Sequence, residues 1–130
     1  MAIVHTLNDR ICAHSNNAAH AVEIPANARI LFCNGQVGAR LNGTVPAEAA
    51  EQLEVIFDRI GIILAASNMT FAHVVKFTVY VTNKSILDDY LRIRVRVMGE
   101  HNPPATLLIV DKFPRSGVVV EIEAIAARAD

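Results

Sequence analysis

The chain has no tryptophan, and aromatic residues make up only 5% of its 130 residues. Twelve Lys and Arg against thirteen Asp and Glu leave a net charge of −1. It therefore has no basic field and no basic stripe interleaved with aromatic platforms, which argues against nucleic-acid binding. An acidic tail is missing too. The only cysteines, Cys12 and Cys33, form no paired motif. That excludes a disulfide scaffold and predicts a reducing compartment. The longest apolar run, residues 60–66, is far short of the roughly 20 residues that cross a bilayer. No basic segment followed by an apolar core opens the chain, so no secretory signal is predicted. The five histidines, His5, His14, His20, His73 and His101, lack metal-ligand spacing, so no metal site is predicted. The expectation is a soluble cytoplasmic protein with no membrane or nucleic-acid partner.

What is present is apolar content. Hydrophobic residues make up 52% of the chain and charged residues 19%. A chain of this length buries roughly two thirds of its unfolded surface, enough for a core without metal or disulfide support. The apolar share is slightly high for a solvated monomer, which hints at an oligomer. With no linker, low-complexity segment or repeat, residues 1–130 read as one domain.

Residues 3–7 form a short strand candidate, and Asn8-Asp9 and Ser15-Asn16-Asn17 carry turn chemistry. Residues 28–33 read as a buried strand ended by a turn at Asn34-Gly35. Gly38 and Asn42-Gly43 suggest a second turn, as at a hairpin tip. Residues 46–66 give the clearest helix, with Thr44 before it, Pro46 in its first turn and Glu48 and Glu51 at its positive end. Ala49, Leu53, Ile56, Ile60, Ile63 and Leu64 form its apolar stripe. Residues 74–82 read as a strand rich in Val, Phe, Thr and Tyr.

Residues 85–98 admit two readings. Arg92 to Val97 alternates like a strand, but Ile86, Tyr90, Ile93 and Val97 share a helical face, and Ser85 with Asp88 resembles a capping box. Helix is the expectation, with Gly99 as its stop and Asn102-Pro103-Pro104 as a stiff connection. Arg92, Arg94 and Arg96 are then expected on a solvated face beside Asp88 and Asp89. Two strands joined by a turn close the chain, at residues 107–110 and 118–126. The order strands, helix, strand, helix, two strands predicts an α+β fold with two helices on one face of a mixed sheet.

The last strand carries Glu121 inside an apolar run, where a carboxylate is costly unless something needs it. Glu121 either activates water or pairs with Lys or Arg across the sheet or an interface. Glu123 points to the same face about 7 Å along and reads as structural. Cys33, in a buried strand with no cation expected beside it, reads as a small core residue.

Phe32-Cys33-Asn34-Gly35-Gln36-Val37, the run from Val74 to Thr82, Pro104-Ala105-Thr106 and Glu121-Ile122-Glu123-Ala124-Ile125-Ala126 stand in an order and spacing that resembles the RidA (YjgF, L-PSP) family. The resemblance implies a chorismate-mutase-like fold and a homotrimer whose three sheets form a central barrel. Small-molecule pockets would lie in clefts between subunits. It also implies a cofactor-free reaction, hydrolysis of enamines and imines such as those derived from 2-aminoacrylate to a keto acid and ammonia. Active members hold the substrate carboxylate with an Arg directly after Pro-Ala, and the glutamate opening Glu-x-Glu orients water.

Glu121 matches that glutamate and lies fifteen positions after Thr106. Thr106 stands where the Arg is expected. A hydroxyl cannot reproduce a bidentate ionic clamp. The lost charged hydrogen bond costs about 1.5–3 kcal/mol, so affinity for a 2-imino acid should fall tenfold to a hundredfold or more. Thr106 then makes a neutral contact or is an ordinary strand residue. Ala18-Ala19 replaces a Tyr-Ser pair, Asn34 replaces a serine, and Leu91 stands at a common Asn. These changes imply a wider or more apolar pocket. Asn34 and Gly35 are candidate ligand contacts, Gly35 because its bare backbone admits a ligand oxygen; its alternative is a turn glycine. Arg115 is a candidate replacement cation, or a solvated loop residue. The functional expectation is a deaminase of this type with an atypical substrate. The alternative is a non-catalytic trimer that binds a small molecule or regulates a partner. RNA cleavage, a label the family has carried, finds no support in the residues.

Overall fold

The protein is described by a computed structural model covering residues 2–14 and 17–130. Strands β1 (Ile3–His5) and β2 (Ala21–Glu23) pair antiparallel as a small ribbon. Then follow β3 (Arg29–Val37), α1 (Ala49–Ala66), β4 (Val74–Val81), α2 (Ile86–Met98), β5 (Ala105–Ile109) and β6 (Val120–Arg128). The four long strands form one sheet in the order β3-β6-β4-β5. β6 is antiparallel to both neighbours, and β5 runs parallel to β4. The mixed sheet with both helices on one face is the α+β architecture expected.

Several boundaries differ from the expectation. The strand predicted over residues 28–33 does not end at Asn34-Gly35. It continues to Val37 through a bulge between Cys33 and Gln36. Gln36 holds that bulge, its Nε2 donating to the Asn34 carbonyl at 2.9 Å, while Arg59 of α1 donates to Gln36 Oε1 at 2.9 Å and to the Ala39 carbonyl at 2.8 Å. The turn at Gly43 (φ +88°) belongs to the β3–α1 connection and not to a hairpin.

Helix α1 begins at Ala49, three residues after Pro46. The Pro46 carbonyl is taken by the buried Gln52 side chain at 2.8 Å, and the Thr44 hydroxyl donates to Asn42. Gln52 Nε2 also donates to the Gly117 carbonyl, and its Oε1 accepts from the Val119 amide. One buried amide thus ties the start of α1 to the entry of β6. Ser85 does not cap α2. Asn83 Oδ1 accepts from the Ser85 amide at 2.9 Å and opens the helix instead.

The last two strands are not neighbours, as β4 lies between them. β2 lies in a stretch for which the sequence predicts no strand, and of the turn at residues 15–17, Ser15 and Asn16 lie outside the described residues.

The core lies between the helices and the sheet. Leu53, Ile56, Phe57, Ile60 and Leu64 of α1 and Ile86, Tyr90 and Ile93 of α2 meet Phe77, Val79 and Val81 of β4 and Val120, Ile122, Ala124 and Ala126 of β6. Arg94 is a correction: it is buried, not solvated, at 2% exposure. Its guanidinium donates to the Tyr90 hydroxyl (2.7 Å), Asn102 Oδ1 (2.7 Å) and the Pro103 carbonyl (2.6 Å), and lies 5.4 Å from the Phe77 ring centroid. A planar fork can satisfy several acceptors at once, which makes a buried guanidinium tolerable. Arg92 and Arg96 do stay outside, paired with Asp89 and Glu54.

Candidate functional site

Alternation in β6 decides where the carboxylates go. Val120, Ile122, Ala124 and Ala126 face the helices, so Glu121 and Glu123 face the opposite, uncovered side. Glu121, set in an apolar run of the sequence, is half-buried on the open face of the sheet. Lys76, Thr78 and Tyr80 of β4, Asn34 of β3 and Thr106 of β5 share that face, together with exposed Ile30, Phe32 and Leu108.

Glu121 lies against the β3 bulge. A Cβ built on Gly35 would sit 2.5 Å from Glu121 Oε2 and 3.0 Å from its Cδ. Only the missing side chain at Gly35 lets the carboxylate rest there. Among the described residues, no Lys, Arg or His forms an ion pair with Glu121. Its Oε2 is thus held against the Gly35 backbone.

Tyr80 is the cross-strand neighbour of Glu121, and its hydroxyl donates to Glu123 Oε1 at 3.2 Å. The hydrogen bond to Glu123 pushes the phenol pKa up, with further contributions from desolvation and from the charges of Glu123 and Glu121. Lys76 Nζ donates to Thr106 Oγ1 at 2.8 Å. Phe32, Asn34, Lys76, Thr78, Glu123 and Ile125 line a shallow cavity of about 390 Å³. Burial pushes the Cys33 thiol pKa up, which keeps it in the unreactive thiol form.

The structure brings some candidates together and separates others. Gly35 and Glu121 touch, and Asn34 lines the cavity, whose carboxylate is Glu123 and not Glu121. Thr106 stands level with Glu123, two strands away, because both pair with Thr78. At sheet spacings that puts Thr106 about 12 Å from Glu121. The two do not meet within one subunit. The Arg115 guanidinium donates to the Gly43 carbonyl and ties two loops. Lys76 and Tyr80 escaped the sequence reading. Lys76, Thr78 and Tyr80 recur at every second position of a strand whose other positions are apolar, and that period was the available signal.

A two-helix α+β subunit with one sheet face left open, carrying a carboxylate seated on a strand bulge, is of the RidA type. The family model described as Endoribonuclease L-PSP matches residues 12–128, and the chain belongs to that family. Protein HMF1 of Saccharomyces cerevisiae is 28% identical over 133 residues, covering 98% of this chain and 100% of the relative. Protein DfrA of Myxococcus xanthus is 32% identical over 114 residues, covering 83% of this chain and 82% of that protein. Among solved structures, YyfB of Yersinia pestis, described as a member of the conserved Rid family, superposes with a TM-score of 0.85 over 98% of both chains at 22% identity. That last likeness is one of fold.

Proposed function

We propose that three copies of this chain assemble through their open sheet faces and that the clefts so formed hydrolyse a small enamine or imine to a carbonyl compound and ammonia. The observation that carries this reading is the seat of Glu121. Its carboxylate rests on the Gly35 backbone, unpaired with any cation among the described residues, as a group that accepts a water proton requires. Glu121 takes the proton of a water directed at the C=N carbon. Gly35 seats Glu121, Asn34 holds a carbonyl oxygen, Thr106 makes a neutral contact, and Arg115 stands at the loop that a neighbouring copy would approach. No cofactor enters the reaction.

Assembly is supported by the open face itself. Phe32 is 73% exposed, and Ile30 and Leu108 are each 47% exposed. Apolar side chains grouped on one face mark an interaction surface. Since Thr106 and Glu121 of one subunit are about 12 Å apart, a pocket using both draws them from different subunits. Two free cysteines, one of them exposed, fit a reducing cytoplasm. Among the described residues, no helix is long and apolar enough to cross a membrane.

The test offers purified protein several imines generated in situ, including 2-aminoacrylate, and follows ammonia. Wild type should release ammonia from at least one, and Glu121→Gln from none. Thr106→Arg should shift preference toward substrates carrying a carboxylate. If wild type and Thr106→Arg are both silent on every imine, the hydrolytic reading fails and a trimer that only binds or regulates takes its place.

A further inference from the structure

The hydrolytic reading leaves one proton without a carrier. Glu121 takes a proton from water, yet the nitrogen of a C=N bond must gain protons before it leaves. Tyr80 is the nearest group of suitable chemistry. It stands directly opposite Glu121 across the β6–β4 pair, with Cβ atoms about 5 Å apart. Its ring shares the open face with Glu121 and Glu123, and its hydroxyl already bonds to Glu123.

We propose that Tyr80 is a further catalytic residue of the site built on Glu121, supplying the proton that the substrate nitrogen takes up. This rests on the hydrolytic reading of Glu121. Water oxygen bonds to the C=N carbon while the π pair moves to nitrogen. Glu121 takes one water proton, and nitrogen takes the Tyr80 hydroxyl proton. The resulting carbinolamine then collapses. Its O–H proton returns to the Tyr80 oxygen as C=O forms, the C–N bond breaks, and nitrogen takes the proton held on Glu121. Imine and water become carbonyl compound and ammonia, and both side chains are restored.

From β6, Glu121 and Glu123 face Tyr80; from β5 its neighbour is Leu108, which does not titrate; along β4 come Thr78 and then the cation Lys76. A phenol is protonated at neutral pH, and the two carboxylates raise its pKa further, so Tyr80 gives up its proton late, once C–O bond formation has made the nitrogen basic. Glu123 also fixes the hydroxyl, which gives that residue a positioning role.

Tyr80→Phe keeps the ring and removes only the hydroxyl. The test compares wild type, Tyr80→Phe and Glu121→Gln on the imine that wild type turns over best. It is paired with a titration of phenolate ultraviolet absorbance, in which the wild-type minus Tyr80→Phe difference isolates Tyr80 from Tyr90. The expected result is a loss of about 100-fold in kcat for Tyr80→Phe with KM little changed, the low end of general-acid contributions. The wild-type rate should also fall at alkaline pH in step with the phenol titration, and that fall should vanish in Tyr80→Phe. Glu121→Gln and Glu123→Gln should each bring the phenol titration to lower pH. Full turnover by Tyr80→Phe with Glu121→Gln inactive overturns the role of Tyr80 and leaves the hydrolytic reading standing. An unmoved phenol titration in Glu121→Gln overturns it as well. Silence of both wild type and Thr106→Arg on every imine overturns the hydrolytic reading, and Tyr80's role with it.

Discussion

Replacing Gly35 by alanine separates function from stability at the proposed site. The new Cβ would meet Glu121 Oε2 at 2.5 Å, Cδ at 3.0 Å and Cγ at 3.3 Å. Ordinary contact begins at 3.4 Å, so the oxygen must retreat by roughly 1 Å. All three atoms belong to the free end of a flexible side chain, and rotation clears them. The unfolding free energy should therefore change by less than about 1 kcal/mol, helped by the smaller conformational freedom of alanine in the unfolded chain. Catalysis should suffer far more. A shift of about 1 Å in a positioned base costs on the order of 100-fold in rate.

Gly38→Ala is the control with the opposite outcome. Its Cβ would meet Gln52 Cα at 2.6 Å, Cβ at 2.7 Å and the carbonyl oxygen at 2.8 Å. Those atoms belong to helix α1 and cannot rotate away. Overpacking of this kind costs about 1–3 kcal/mol, and here it also disturbs the amide that joins α1 to β6. Urea unfolding of both variants, read beside ammonia release, gives the comparison. The reasoning is refuted if Gly35→Ala loses as much stability as Gly38→Ala, or if it turns over imine at the wild-type rate.

Three other perturbations follow from the packing. Arg94→Met should lower the unfolding free energy by about 2–4 kcal/mol in urea titrations, because the Pro103 carbonyl and Tyr90 hydroxyl lose a buried donor; a midpoint at the wild-type value would show that the guanidinium holds nothing in place. Phe32→Lys should leave the subunit fold intact, since the ring is 73% exposed, but should reduce the sedimenting mass of the proposed trimer to the 14.1 kDa of one chain; persistence of the larger mass would place the assembly surface elsewhere. Tyr80 and Tyr90 both have pKa values raised above 10.0, Tyr80 mainly through its bond to Glu123 and Tyr90 through burial, which Arg94 partly offsets. The folded state then holds these protons more tightly than the unfolded one, so their contribution is fully present below pH 10.0 and is lost as pH rises through the folded values. Thermal unfolding should show an alkaline decline above pH 10.0 that is shallower in Tyr80→Phe, and equal slopes would contradict the Tyr80 share.

Much of the fold was legible because it rests on local periodicity. The stripe from Leu53 to Leu64 and the alternation from Val120 to Ala126 are each properties of a few consecutive turns or pleats. The bulge at Asn34-Gly35 was not legible. It depends on Gln36 and on Arg59, which lies more than twenty residues away, and Asn-Gly on its own carries turn chemistry. Arg94 misled for a related reason. Its acceptors Asn102 and Pro103 lie beyond the helix, so its own helical neighbours predicted solvent where tertiary contacts supply a buried cradle.

The sequence by itself determined both helices, most strands, the fold class and the shared side of Glu121 and Glu123, because helix and strand periods are set by neighbouring residues. Only the tertiary structure decided that β4 separates β5 from β6, that the carboxylates face away from the helices, and that Tyr80 and not Thr106 stands beside Glu121. Strand order and cross-strand register are long-range pairings chosen by burial of the whole sheet, and a one-residue slip in any of them would turn each of these side chains to the other face.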